Sequence, residues 1–238
     1  MPITPDNHRS AVANYLAGKI REFGYQLRVL VKTADHSAAS FLHGNENPDG
    51  APLAYAFSAL GNAMQSLKDA LKTTGAEPLS WGQIAQIPHG EFMAKSRNAM
   101  THDGNPVINA WVDGRYFVAN DISRYGPKGE PIEIIRPQGD VRTICLTFAN
   151  GFCSTLSDRL QPLIGNYQIS GANFDLEEIE IAVYGSDLIP PDVKALFTAN
   201  KEQFRKSIVD APSFDPVVKA IDELNEIRKY CKLALGQS

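Results

Sequence analysis

Three polar residues within a span of six, Arg97, Asn98 and His102, carry the functional groups needed to cleave RNA without a metal ion. The guanidinium of an arginine is permanently cationic and can hold a phosphate through a planar fork of donors. The imidazole of a histidine can accept or release a proton near neutral pH. This stretch therefore predicts proton transfer at a phosphate group, provided that the surrounding elements position the three side chains.

The chain before these residues has the periodicity of two long amphipathic helices. Apolar residues recur at steps of three and four from about Asp6 to Thr33, and again from Leu53 to Leu71. The segment 35–50 between them is polar and rich in Gly, Asn and Pro, which predicts a loop. Gly75 stands where the second helix needs a C-terminal glycine.

A third helix is expected to carry the three polar residues. Pro88 can occupy its first turn, and the run Gly104-Asn105-Pro106 ends it just past His102. On an ideal helix Arg97 and His102 lie about 140° apart around the axis and about 7.5 Å apart along it. Asn98 and His102, four residues apart, share a face. Arg97 must therefore reach around the helix, or the helix must fray, if one chain is to bring all three groups together.

The sequence after the motif changes to the alternation of β-strands. The segments 107–112 and 115–118 flank Asp113-Gly114, which is the strongest short signal for a β-hairpin. A loop is predicted over 122–129 and a third strand over 132–135. These elements form a hairpin or meander inserted between helices.

Helical periodicity returns at residues 140–163, and this helix can close a four-helix bundle with the three before it. Further on, the alternation over 179–183 predicts a short strand, and the acidic run 175–180 predicts a solvated strand edge. Residues 190–208 predict one helix that opens with two prolines. Asp215-Pro216 predicts the N-cap and first residue of the last helix.

The predicted fold class is therefore mainly α. Residues 6–164 form a helical bundle that includes the β insertion at about 107–135, and residues 165–238 form a mostly helical region, packed on the same domain or separate from it. A chain of 238 residues with 43% hydrophobic and 21% charged residues has the composition of an ordinary soluble globular protein.

The order of an arginine, a polar residue and a histidine, here Arg97, Asn98 and His102, resembles the signature of the HEPN superfamily. The resemblance extends to the helical organisation of residues 6–164. It implies a bundle in which two protomers pair so that their motifs line one cleft. It also implies metal-independent cleavage of RNA, in which His102 takes the proton of the ribose 2′-hydroxyl and a second group protonates the leaving 5′-oxygen. Arg97 would stabilise the phosphorane, and Asn98 would orient His102 or hold the phosphate.

The same resemblance implies a toxin or phage-defence effector, with RNA, a second copy of the chain and an antitoxin or regulatory protein as partners. The formal net charge of −4 requires that RNA contacts come from a local basic patch, because the field of the whole molecule repels a polyanion. Lys95, Arg115 and Arg142 are the candidate substrate-binding residues beside Arg97.

Several alternatives stay open on sequence alone. Arg97 and His102 could simply solvate the end of a helix, where a histidine interacts well with the helix dipole. The chain could also be a non-catalytic HEPN-like interaction or regulatory protein, or an unrelated α+β domain. The aromatic residues of the hairpin could stack bases, although packing on the bundle is the ordinary role of alternating apolar residues in a half-buried strand; they are Trp111, Tyr116 and Phe117. Surface positions are expected for His8, His36, His43 and His89.

Other motifs give no sign of a cofactor or a metal ion. The glycine-rich loops that bind nucleotides and dinucleotides are absent, as is the elbow of serine hydrolases. The cysteines form no Cys-x-x-Cys pair and no cluster with histidine, so buried free thiols are expected for Cys145, Cys153 and Cys231. The first five residues lack the features of a signal peptide, and no apolar run approaches the roughly 20 residues of a membrane span. A cytoplasmic location is the expectation.

Overall fold

The computed structural model describes residues 5–44, 49–104, 106–126, 128–166, 176–210 and 214–237. Within these ranges the chain forms nine α-helices and four short strands. The helices are α1 (Pro5–Leu42), α2 (Ala51–Thr73), α3 (Trp81–Ala85), α4 (Gly90–Asp103), α5 (Val141–Leu160), α6 (Leu176–Gly185), α7 (Pro191–Ala199), α8 (Lys201–Val209) and α9 (Pro216–Ala234). The strands are β1 (Ala110–Val112), β2 (Arg115–Phe117), β3 (Ile122–Tyr125) and β4 (Pro131–Ile134). The fold is mainly α, as predicted.

The long helix α1 lies at the centre of a helical bundle. It packs against α2, α5 and α9, while α4 packs on the far side of α2 and α9 also contacts α5. The core contains large side chains that are almost fully buried, among them Phe23 of α1 and Phe152 of α5, whose ring centroids are 5.5 Å apart. Gly24 allows α9 to approach closely, because a Cβ at this position would lie 2.9 Å from the Ile227 side chain.

The hairpin β1–β2 forms as predicted and rests on the end of α1. Asp113 (φ 50°) and Gly114 (φ 80°) both have positive φ, as a two-residue type I′ turn requires. Trp111 donates from Nε1 to Ser37 Oγ at 3.0 Å, and its ring meets that of Phe41 at a centroid distance of 5.5 Å. These contacts bury part of the segment that was predicted to be a loop. The prediction was wrong for residues 35–42, because α1 continues through them to Leu42.

A second, separate antiparallel pair follows the first hairpin. The strand predicted over 132–135 is present as β4, at Pro131–Ile134, but its partner was missed. Residues 122–125, which were predicted to be part of a loop, form β3 and pair with β4 in the register Ile122↔Ile134 and Tyr125↔Pro131. Each of these strands has only four residues. β3 is therefore too short for an alternating pattern to distinguish it from a loop.

The C-terminal region differs from its prediction in two elements. The strand predicted over 179–183 is instead part of helix α6, and so is the described part of the predicted strand edge, 176–180; Asp175 lies outside the described residues. The single helix predicted over 190–208 is divided at Asn200 into α7 and α8.

The last helix, α9, begins as predicted. Asp215 accepts hydrogen bonds from the backbone N–H groups of Val217 and Val218, and Pro216 is the first helical residue.

Candidate functional site

Helix α4 carries the motif, and two left-handed backbone positions set its ends. His89 (φ 62°) precedes the first helical residue, Gly90, and Gly104 (φ 64°) follows the last. A side chain at Gly90 would overlap the carbonyl oxygen of Ile84, so the turn between α3 and α4 requires glycine there. The helix therefore starts two residues later than the predicted first turn at Pro88, and it ends where it was predicted to end.

Arg97 lies on the flank of α4 that faces α2. Its Cβ and Cγ are 3.3 Å from the position of a Cβ built on Gly61, so the glycine leaves room for the arginine stem. The half-buried guanidinium donates from Nη1 to Asn98 Oδ1 at 3.0 Å.

The positive charge of Arg97 affects the pKa of Asp69 on α2. Burial raises the pKa of Asp69, but hydrogen bonds from Gln65 and Lys68 and the charges of Lys68 and Arg97 outweigh it and lower the pKa. The guanidinium thus bonds to an amide on its own helix, and its charge acts on a carboxylate of α2.

His102 lies in the last turn of α4 with its side chain exposed to solvent. It shares the outer face of the helix with Asn98, one turn earlier. The neighbouring Asp103 forms an ion pair with Arg124 of β3, in which Arg124 Nη2 donates to Asp103 Oδ1 at 3.0 Å. This ion pair fixes the end of α4 to the second hairpin, and it leaves the imidazole accessible from outside the bundle.

The structure ties two of the three candidate substrate-binding cations to oxygen atoms of the chain. Lys95 Nζ lies 2.7 Å from Glu91 Oε1 and donates to the Glu133 backbone oxygen at 2.8 Å. Arg142 donates from Nε to Asp35 Oδ1 at 2.6 Å and from Nη1 to the Ala234 backbone oxygen at 3.1 Å.

The third cation, Arg115, is exposed at the start of β2 and lines one cleft of about 230 Å³ together with Arg142. Asp35 and Asp140 lie in the same cleft, so its charge is mixed rather than cationic. Lys95 does not line this cleft. The structure therefore separates Lys95 from the pair that Arg115 and Arg142 form.

His89 is a candidate that sequence reasoning missed. It was expected at the surface, but its side chain is half-buried in a cleft of about 280 Å³ that Lys95 and Arg136 also line. Burial lowers the pKa of His89. Arg136 donates from Nη1 to the Ala119 backbone oxygen at 3.2 Å and from its backbone N–H to Asp121 Oδ1 at 2.8 Å, and Glu91 lines the same cleft. The left-handed backbone of His89 has no counterpart in the residue pattern, so the sequence carried no signal for this cleft.

The hairpin aromatics and the cysteines have the structural roles expected of them. Tyr116 is buried, and Trp111 packs on α1, which agrees with packing of the hairpin on the bundle. All three cysteines are free and buried. Burial raises the pKa of Cys231 to about 12 and raises the pKa values of the other two as well. These thiols are therefore protonated at neutral pH and are poor nucleophiles.

Comparison of the chain with protein-family models, with curated proteins and with solved structures gives no match. None of the helices in the described ranges combines the length and the apolar character needed to cross a membrane.

Proposed function

We propose that the protein is a metal-independent endoribonuclease of the HEPN type. One observation carries the proposal: Asn98 joins the two flanks of α4 on which the reactive groups lie. Its Oδ1 holds the Arg97 guanidinium at 3.0 Å, and its position one turn before His102 places it on the histidine's face. The contact places the arginine's Nη1 beside a residue of the histidine's face. An accessible imidazole and an oriented guanidinium on one helix have the composition of an acid–base site for a phosphodiester.

The reaction that suits these groups is transfer of the phosphate to the ribose 2′-oxygen. His102 takes the proton of the 2′-hydroxyl, and O2′ forms a bond to phosphorus while the bond from phosphorus to O5′ breaks. A second proton donor gives a proton to O5′. Arg97 binds the non-bridging oxygens, whose charge grows in the transition state. The products are a 2′,3′-cyclic phosphate and a 5′-hydroxyl.

The geometry of α4 favours a site built from two protomers. Arg97 and His102 are about 140° apart around the helix, and they lie on different flanks even with the Asn98 contact. A two-fold axis near the exposed end of α4 would place Arg97 of one chain beside His102 of its partner. We therefore propose a homodimer. A nuclease of this kind would act on cytoplasmic RNA as a toxin or phage-defence effector, held in check by an antitoxin or regulatory protein.

A second candidate function is a non-catalytic HEPN-like protein that binds a regulatory partner. The pairing of Lys95 with Glu91 and of Arg142 with Asp35 favours it, because paired cations attract a polyanion weakly. Arg115 and Arg136 form no ion pair among the described residues, and they are the candidate RNA contacts in the first proposal.

Cleavage of total RNA in EDTA, by the wild type and by Arg97→Ala and His102→Ala, tests the nuclease. We expect cyclic-phosphate ends from the wild type and a loss of about 100-fold or more in each variant, because each removes a group that acts in the transition state. Lys128→Ala, an exposed change on the β3–β4 turn, is the matched control. Equal rates in all four proteins would refute the proposal.

Mixing the two inactive variants then tests the shared site. Half of the dimers in an equal mixture are mixed, and one of the two sites in each mixed dimer receives an intact arginine and an intact histidine. We expect about a quarter of the wild-type rate on the symmetry argument. No recovery after subunit exchange, confirmed by mass-tagged protomers, would show that each site belongs to one chain.

A further inference from the structure

A cavity of about 390 Å³ lies between the start of α2 and the hairpin β1–β2, outside the residues assigned to catalysis. Its volume falls in the range of ordinary small-molecule sites. The residues that form its walls are mostly apolar or aromatic, and none of them is charged; the principal ones are Gly50, Ala54, Pro106, Ile108, Trp111 and Tyr116. A ligand that enters must therefore be uncharged where it contacts the walls.

The polar atoms of the two aromatic walls are already bonded to the protein. Trp111 Nε1 donates to Ser37 Oγ at 3.0 Å, and the Tyr116 hydroxyl donates to the Asp49 backbone oxygen at 3.3 Å. The rings are thus fixed in place, and they offer the cavity only their π surfaces and edges. Such surfaces bind flat aromatic rings by stacking.

One polar side chain on the wall, that of Asn109, is able to recognise a ligand. Asn109 Oδ1 accepts a hydrogen bond from the Ala119 backbone N–H at 2.8 Å, which orients the side-chain amide. Its Nδ2 has no protein acceptor among the described residues, and Asn109 lines the cavity. A fixed amide donor beside two fixed rings matches a heterocycle that carries ring-nitrogen or carbonyl acceptors.

The cavity lies close to the motif. Pro106, on its wall, follows His102 by four residues, so the chain limits the separation of their Cα atoms to roughly 14 Å. A short stretch of single-stranded RNA can span this distance. From these observations we infer that the cavity binds a nucleobase of the RNA strand whose backbone reaches α4. The inference rests on the proposed nuclease for the identity of the strand.

Filling the cavity tests this inference without removing any packing. Ala54 is a partly exposed position on α2, and Ala54→Leu places a larger side chain in the cavity while keeping a strong helix former. Trp111→Ala removes the stacking surface but also its contact with Phe41, so Ala54→Leu is the decisive variant. Ala195→Leu, at an exposed position of α7, is the matched control.

Binding is measured in the His102→Ala background with a single-stranded 12-nucleotide RNA and with the same RNA lacking one base at each position in turn. A Trp81→Phe change leaves Trp111 as the single tryptophan, because the chain has only two. We expect the RNA to quench Trp111 fluorescence and Ala54→Leu to weaken binding roughly tenfold, the effect of losing one stacked base. Omission of one particular base from the RNA should weaken binding as much as Ala54→Leu does. With that base absent, Ala54→Leu should not weaken binding further.

Unchanged affinity in Ala54→Leu, or RNA binding without quenching, would overturn the base-binding site. Cleavage by the protein with an intact His102 is measured in parallel, so the two proposals fail separately. If Ala54→Leu cleaves RNA at the normal rate and at the same positions, the base-binding role of the cavity is refuted and the nuclease proposal stands. If RNA quenches Trp111 fluorescence, Ala54→Leu abolishes this quenching and the wild type does not cleave RNA, the cavity stands as a site for an RNA base and the nuclease proposal is refuted.

Discussion

His89 combines a left-handed backbone with a half-buried side chain. Its backbone lies in the left-handed region at φ 62°, which non-glycine residues adopt at a cost of about 1 kcal/mol or more. Its side chain is half-buried, and this burial lowers the pKa of the imidazole below the ordinary 6.5. The folded protein therefore binds fewer protons at this residue than the unfolded chain does. Its free energy of unfolding should then fall as the pH drops through 6.5, because protons favour the unfolded state.

The His89→Asn variant tests this linkage. Asparagine tolerates the left-handed backbone and does not titrate, so the loss of unfolding free energy between pH 7.5 and pH 5.5 should be smaller than in the wild type. Urea denaturation at the two pH values measures the difference. His36→Asn, on the exposed face of α1, keeps the His89 contribution and serves as the control. An identical pH response in wild type and His89→Asn would contradict the assignment.

Residue-scale features were predictable where one local pattern determines them. Gly75 and Gly104 have the positive φ expected of residues that end helices, and the three cysteines are buried free thiols. The pairing of Lys95 with Glu91 is a local contact between residues four apart on one helix. The contacts of Lys95 with Glu133 and of Arg142 with Asp35 were not predictable, because these partners come from elements distant in sequence. The positions of Arg97, Asn98 and His102 on one helix were predicted, but their catalytic role stays a prediction.

At the scale of elements, tertiary contacts explain why local patterns failed. The end of α1 has a loop-like composition, yet the hairpin β1–β2 docks on it and Ser37 is buried beneath Trp111. Such packing overrides weak local preference. The apolar alternation over 179–183 indicated a strand, but a short apolar run fits either period, and these residues lie in α6.

The docking of this hairpin can be measured with two glycines that share a backbone conformation. Gly114 (φ 80°) lies on α1, where a Cβ would come within 2.8 Å of Ala38 Cα, whereas Gly129 (φ 79°) has open space around it. Gly129→Ala should cost about 1 kcal/mol from the backbone alone. Gly114→Ala should cost roughly 2–4 kcal/mol, because overpacking adds about 1–3 kcal/mol. Equal losses in chemical denaturation would show that the turn does not press on α1.

At the scale of the molecule, the end of α5 and the start of α9 lie side by side. The backbone N–H of Gly165, just after α5, donates to Asp215 Oδ2 at 2.8 Å, and Asp215 caps α9. The helices α6–α8 lie between these two points. Among the apolar side chains described in 176–208, Phe197 is the only buried one, and it stacks with Phe204 of the same region rather than joining the main core. By contrast, α9 gives the core Val217, Leu224, Ile227 and Cys231.

This arrangement predicts that residues 167–213 can be replaced by a linker of four Gly and Ser residues. The two ends already meet, so the linker closes without strain, and its short length adds little entropy cost. The shortened protein should unfold cooperatively with a midpoint close to that of the full chain, as measured by circular dichroism. The matched truncation that ends at residue 210 removes α9 and exposes the faces of α1 and α5 that it covers, so it should lose the cooperative transition. If instead the truncated chain melts like the full protein and the shortened one does not, the core of this molecule depends on α6–α8 rather than on α9.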